Sequence, residues 1–236
     1  MDNVLIIDEL HPTARAGALL AARLFSAAHI EWCLATTSLG VPGQGGSRVL
    51  QTLDPHSMEA QIAAVKRSER ITGVLIGDLG TGPLAARLPS SLCTLGPVPI
   101  LAAPRSSWRE VTNASPGPTE SLLSLSKLLV LSSQRLTAPD QRGPSAMRQV
   151  ARSLRLSGVD SVLLLAHGSQ PRTSHILYDG VQFHEFPARG TRATSHPALE
   201  TLVGTFTLIN LLAGLSLGEA ILRTLDRIAQ NPPLKA

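Results

Sequence analysis

Short, mostly apolar runs recur along this chain, and all but the last lead on to a stretch with helical spacing. The runs lie at residues 4–7, 30–37, 73–76, 98–102, 128–131 and 162–165, and are rich in Val, Ile and Leu. Runs of this length with no polar alternation read as strands buried on both faces. Between them, residues 16–28, 57–67, 84–95, 120–127 and 145–157 carry apolar residues at helical intervals. Strand and helix in alternation predict an α/β fold: a mostly parallel central sheet with helices on both faces, a three-layer sandwich. The pattern changes at residue 162. From there the chain reads strand, turn, strand, an Asp179-Gly180 turn and a third strand through Phe183 and Phe186. That predicts an antiparallel edge in the C-terminal third. A long apolar helix then begins near Pro197 or Ala198, and another follows Ser216.

Local punctuation supports these boundaries. Gly158 suits the C′ position after the helix at 145–157. Ser216-Leu217-Gly218-Glu219 is a capping box that opens the last helix. Pro89 is expected to interrupt the helix at 84–95. The Gly- and Pro-rich stretch 40–46 reads as a mobile loop. Neither a repeat nor a linker divides the chain, so residues 1–236 are expected to form a single domain.

Composition narrows the function classes. The formal net charge is +4 with dispersed Arg residues, and only 3% of residues are aromatic. This argues against nucleic-acid binding, which needs a basic stripe or a stacking platform. The two cysteines, Cys33 and Cys93, form no CxxC pair. With an N-terminus that does not resemble a signal peptide, they fit a cytoplasmic protein. The longest apolar segment, 199–217, is broken by polar residues and reads as a buried helix, so no membrane association is expected.

In a parallel sheet the ligand crevice lies outside the C-terminal ends of the strands. That rule selects His11, the 40–46 loop, Asp78 to Gly82, Arg105, Ser132-Ser133 and His167-Gly168. Asp78 reads either as a ligand contact or as a helix N-cap. His11 reads as a ligand contact or a plain loop residue, and Gly168 as part of a site or of a turn. His175, His184 and His196 lack compact metal spacing and read as solvated, so no metal site is expected. No Walker pattern is present.

Several stretches together resemble the hydroxymethylpyrimidine/phosphomethylpyrimidine kinases of thiamine biosynthesis, in the ribokinase superfamily, with pyridoxal kinases as near relatives. They are Val4-Leu5-Ile6-Ile7 with the later Ala16-Gly17, Val74 to Thr81, Val162 to Phe186 with its Leu177-Tyr178-Asp179-Gly180 turn, and Asn210 to Ala220. The resemblance spans nearly the whole chain and implies a ribokinase-like fold, ATP with Mg if the protein is active, a pyrimidine or pyridoxal-like ligand and a homodimer. It places His11, Gly17, Gln44, Asp78 and Gly80 on the substrate side. Ser133, His167, Gly168 and Gly190 fall on the nucleotide side, and Thr201 at the position of the family's catalytic base.

The motifs that carry the family's chemistry are altered. Its Gly-Ser-Asp after the first strand is Glu9-Leu10-His11 here, and its Asp-Pro-Val is Ala103-Pro104-Arg105. Pro42 stands where a pyrimidine-binding glutamine is expected, with Gln44 close by. The Gly-Thr-Gly-Cys anion hole aligns with Ala198-Leu199-Glu200-Thr201. Without glycines the backbone cannot approach a phosphate closely, and Glu200 opposes its charge. A threonine is no ionisable base at neutral pH. A gapped alignment instead places the anion turn on Arg189-Gly190-Thr191-Arg192. Two readings follow: a divergent kinase with weak or lost catalysis, or a non-catalytic binding or interaction module on the same fold, a pseudoenzyme.

Overall fold

The computed structural model describes residues 1–10, 17–43, 46–79, 82–105, 122–133, 143–166, 174–188 and 198–230. Nine strands make one sheet: β1 (Asn3–Leu10), β2 (Glu31–Gly43), β3 (Gly46–Thr52), β4 (Gly73–Ile76), β5 (Ile100–Ala102), β6 (Leu128–Ser132), β7 (Val162–Leu165), β8 (Ser174–Tyr178) and β9 (Phe183–Pro187). Their order is β3-β2-β1-β4-β5-β6-β7-β8-β9. The pairings from β2 through β1 and β4 to β7 are parallel, and β8 and β9 add the expected antiparallel edge. This is the mostly parallel, helix-covered sheet the sequence predicts.

Among the described residues the longer helices are α1 (Gly17–Ala27), α2 (Pro55–Ser68), α3 (Gly82–Cys93), α4 (Pro144–Leu156), α5 (Leu199–Leu212) and α6 (Leu217–Gln230). Strand alternation divides the core into two layers. Leu5 and Ile7 pack with Met58, Ile62, Leu88, Met147 and Leu154 under α2, α3 and α4. Val4 and Ile6 pack with Phe25, Leu202, Val203 and Ile221 under α1, α5 and α6. α5 is buried at every residue from Leu199 to Leu208, as expected of a helix that is apolar on all sides. It lies close to the sheet because Gly204 has no side chain. A Cβ there would fall 2.8 Å from Ala103 Cβ and 3.1 Å from Leu75 Cδ1.

The structure corrects several expectations. β1 continues to Leu10, so Asp8 and Glu9 belong to a buried strand and not to a loop. Part of the expected 40–46 loop is instead hairpin: β2 runs to Gly43 and pairs antiparallel with β3, closing at Gly43 opposite Gly46. α3 runs through Pro89 without a break.

His175 is not solvated. It is buried on β8, and its Nδ1 accepts the Ala166 N–H at 3.0 Å. Burial pushes its pKa down to about 4. His184 is partly exposed and contacts Asp179 at 2.7 Å, while His196 lies outside the described residues.

Two tests follow. Gly204→Ala should lower stability, although alanine gains about 1 kcal/mol of helix propensity over glycine; equilibrium urea unfolding that shows a gain would contradict the close packing. His175 folds neutral, so its contribution is complete above pH 6.5 and is lost as pH falls through about 4. His175→Gln should remove this component from stability profiles measured between those limits.

Candidate active site

β1 has β2 on one side and β4 on the other. The chain leaves β1 toward β2, then returns to β4, so the strand order reverses here. Such a switch point opens a crevice at the C-terminal strand ends. Three segments converge on it: Asp8 of β1, Gly77-Asp78 just after β4, and Arg105 three residues beyond β5.

The residues form a buried ion cluster. Arg105 Nη2 lies 3.2 Å from Asp8 Oδ1 and 3.1 Å from Asp78 Oδ2. Their side chains are 12%, 5% and 14% exposed, respectively, so solvent screens these contacts little. The backbone orders the acceptors: Asp8 Oδ1 also accepts the N–H groups of Glu9 and Asp78, both at 2.7 Å. Asp78 Oδ1 accepts the Arg105 N–H at 2.7 Å. Thr37 Oγ1 donates to the Asp78 carbonyl at 2.8 Å, fixing that segment to β2.

Two glycines make room. A Cβ at Gly77 would fall 2.2 Å from Asp8 Cγ, within the carboxylate itself. At Gly17, with φ +67°, it would fall 2.9 Å from Arg105 Nη2 and 3.0 Å from Asp8 Oδ2. α1 therefore starts directly against the cluster.

Burial is the main influence on Asp8 and pushes its pKa up to about 7; Arg105 opposes this, and Asp78 adds to it. For Arg105, burial acts downward, but the attraction of Asp8 and then Asp78 more than offsets it and raises the pKa. Removing one partner from such a buried pair typically costs about 3–5 kcal/mol, because the other charge is left uncompensated.

The sequence-predicted residues divide into three groups. Gly17, Asp78 and Thr201 come together: Thr201 Oγ1 accepts the Gly17 N–H at 3.4 Å, and Gly17 borders Arg105 and Asp8. Asp78 does not cap α3, which begins at Gly82; its side chain holds Arg105 instead. Ser133 is buried after β6, two strands along from β4. His11, Gln44, Gly80, His167, Gly168 and Gly190 lie outside the described residues, as does the alternative anion turn at 189–192.

The start of α5 is packed. Ala198, Leu199, Glu200 and Thr201 are 0%, 4%, 2% and 4% exposed. Ala198 supplies no side-chain cap, and Glu200 places a carboxylate in the first turn. A phosphate needs exposed N–H groups and a nearby positive field. The residues of this turn do not fit that requirement, so no phosphoryl-transfer step is assigned to it. Among the described residues, no group of three or more His, Cys, Asp or Glu side chains could hold a metal ion. No described helix is long and apolar enough to cross a membrane.

Asp8 was not singled out from the sequence, because an acid after an apolar run reads as the end of a strand. A usable signal was Arg105 at a neighbouring strand end, since a buried guanidinium requires a carboxylate in reach.

No protein-family model matches the chain, and neither does any curated protein sequence. Solved structures do. Phosphomethylpyrimidine kinase from Clostridium difficile aligns with a TM-score of 0.77 at 16% identity, covering 98% of this chain and 99% of that one. An ADP complex of Bacillus subtilis pyridoxal kinase gives 0.80 at 16% identity, covering 97% and 90%. A reconstructed last common ancestor of two vitamin-kinase groups gives 0.75 at 18% identity, covering 98% and 99%. The chain thus has the ribokinase-like fold of these kinases.

The raised pKa of Asp8 carries a stability signature. Its protonated form is favoured in the folded state, so its contribution is complete below pH 3.8 and is lost as pH rises through about 7. Asp8→Asn should flatten this fall in urea-unfolding free energy across that range. An unchanged slope would show that Asp8 titrates as an ordinary carboxylate.

Proposed function

We propose that this protein is a divergent relative of the phosphomethylpyrimidine and pyridoxal kinases. It holds a small pyrimidine- or pyridoxal-like ligand at the switch-point crevice, and efficient phosphoryl transfer has been lost. The ancestral reaction on this reading is ATP-dependent phosphorylation of a hydroxymethyl group in thiamine biosynthesis. Likeness to a structure of Staphylococcus aureus pyridoxal kinase with AMP-PCP and pyridoxal supports a pyridoxal-like ligand and a nucleotide. That protein aligns with a TM-score of 0.77 at 16% identity.

The observation that carries the loss of catalysis is the packed first turn of α5. Phosphoryl transfer depends on positioning and on stabilisation of developing negative charge. Here buried Leu199 and Glu200 occupy the turn where the resembling family has glycines, and Thr201 has its hydroxyl against Gly17. Single-domain organisation over residues 1–236, a homodimer and a cytoplasmic location accompany this reading. The continuous sheet and near-complete alignment with full kinase chains support the first of these.

The test combines calorimetric titration of pyridoxal, hydroxymethylpyrimidine and Mg-ATP with a phosphoryl-transfer assay on the same preparation. Binding of a ring ligand is expected, with turnover reduced by roughly 10³-fold or more relative to an active kinase of this fold, as loss of oxyanion-type stabilisation implies. Turnover at that kinase's rate, abolished by Thr201→Val, would overturn the proposal.

A further inference from the structure

β3 covers only the C-terminal part of the outer edge of β2. It pairs with Ser38 to Gly43, and before that point β1 is the one strand beside β2. The Glu31 N–H donates to the Asp2 carbonyl, so Glu31, Cys33 and Ala35 turn their backbone groups inward to β1. Trp32, Leu34 and Thr36 turn theirs outward. At Thr36 a side chain closes the edge: the Thr36 N–H donates to Gln61 Oε1 at 3.0 Å, and Gln61 Nε2 donates to the Thr36 carbonyl at 3.4 Å. Trp32 and Leu34 have no such closure. Among the described residues, nothing bonds their outward N–H and C=O groups.

An open cleft of about 500 Å³ lies at this stretch, with Ser26, His29, Glu31, Trp32, Cys33 and Glu69 in its lining. Side chains alternate across the strand, so its two faces differ in chemistry. On the α1 face Trp32 is 39% exposed, its indole N–H held by Ser26 Oγ at 2.9 Å, and Leu34 packs beside it. On the α2 face Cys33 stands among carboxylates: burial, then Glu69 and more weakly Glu31 raise its pKa. Among the described residues Glu31 forms no ion pair, and Glu69 accepts from Asn3 Nδ2 at 3.1 Å. No described Lys or Arg lines this cleft; Lys66 and Arg70 line a neighbouring one that shares only Glu69.

A bare edge segment is a template for another strand, and side-chain pockets beside it select which strand. A second copy of this chain would bring its own Glu31 and Glu69 to the same edge, adding like charge. A basic segment meets the carboxylates with opposite charge. We propose that Trp32 to Leu34 form a strand-addition site for an extended peptide in which apolar and basic residues alternate. The peptide lies antiparallel to β2, continuing the line of β3. Its apolar side chains stand opposite Trp32 and Leu34 on the α1 face, and the basic one opposite Cys33 reaches Glu31 and Glu69. Its main chain pairs with the open N–H and C=O groups. The site lies at the N-terminal ends of the strands, away from the crevice at Asp8, and is independent of what that crevice binds.

The probe is the peptide acetyl-Lys-Val-Lys-Val-Lys-amide, titrated into the ¹⁵N-labelled full chain. In the free protein the Trp32 and Leu34 amides should exchange with solvent faster than that of Cys33, which faces β1. The peptide should shift and protect both in a saturable manner, leaving the Gly77 and Asp78 amides at the other end of the sheet unmoved. In antiparallel pairing the valine amides face β2, so N-methylating both valines should abolish binding. Glu31→Gln should weaken binding by at least about threefold, on the scale of an exposed ion pair, and a peptide with glutamate for lysine should bind more weakly still. Slow exchange at Trp32 and Leu34 in the free protein, equal binding of the N-methylated or glutamate peptide, or unchanged binding by Glu31→Gln would overturn the proposal. Protection that rises with protein concentration alone would also overturn it, marking a second copy as the occupant.

Discussion

One guanidinium bridges the ends of separate strands. Arg105 follows β5, Asp8 lies near the end of β1, and Asp78 follows β4, so their contacts tie three neighbouring segments together at the mouth of the sheet. Their parallel ladders end at Ile7 opposite Ile76 and at Ile76 opposite Ala102. Beyond those points, side-chain charge takes over from backbone pairing in fixing the geometry. The glycines beside the cluster follow from this: Gly77 permits the carboxylate to lie on the backbone, and Gly17 lets α1 start against it. A change at any of the three charges would be felt through the others, because buried charges are tolerable only in company.

The layers behind the strand ends are apolar. α5 meets the sheet through Gly204 and is enclosed by α1 and α6, and its buried Thr207 bonds Thr224 at 3.3 Å. This separation between scaffold and mouth lets the fold stay recognisable whichever residues stand at the strand ends. Fold likeness to kinases at 16–18% identity is compatible with either activity or its absence, since function resides in the site.

How far the sequence could be read depended on the range of the forces involved. Strand positions, the antiparallel C-terminal edge and the capping box of α6 were legible because apolar periodicity and turn chemistry act locally. The Ser216–Glu219 box is present with Ser216 N–H donating to Glu219 at 3.1 Å. The hairpin of β2 and β3 was hidden by glycines and Pro42, which read as a loop by composition. Asp8 and His175 were misplaced for a related reason. Each is a polar residue whose burial depends on a partner distant in sequence or on a backbone N–H in another element. Asp78 and Arg105 were found because topology places strand ends, even when it says nothing about which charges will meet there.

The contact between Gly17 and Thr201 spans 184 residues. Val4, Ile6, Ala18 and Phe25, all near the start of the chain, are covered by a helix that begins only at Leu199. A polypeptide emerging from the ribosome would therefore carry this face of its sheet with α1 as its one described covering helix until almost all of the chain had been made. Such distant closure slows folding and prolongs the exposure of sticky apolar surface. α5 and α6 thus act as the closing step of the fold, and a chain ending before them would leave α1 to cover that layer of the core without them.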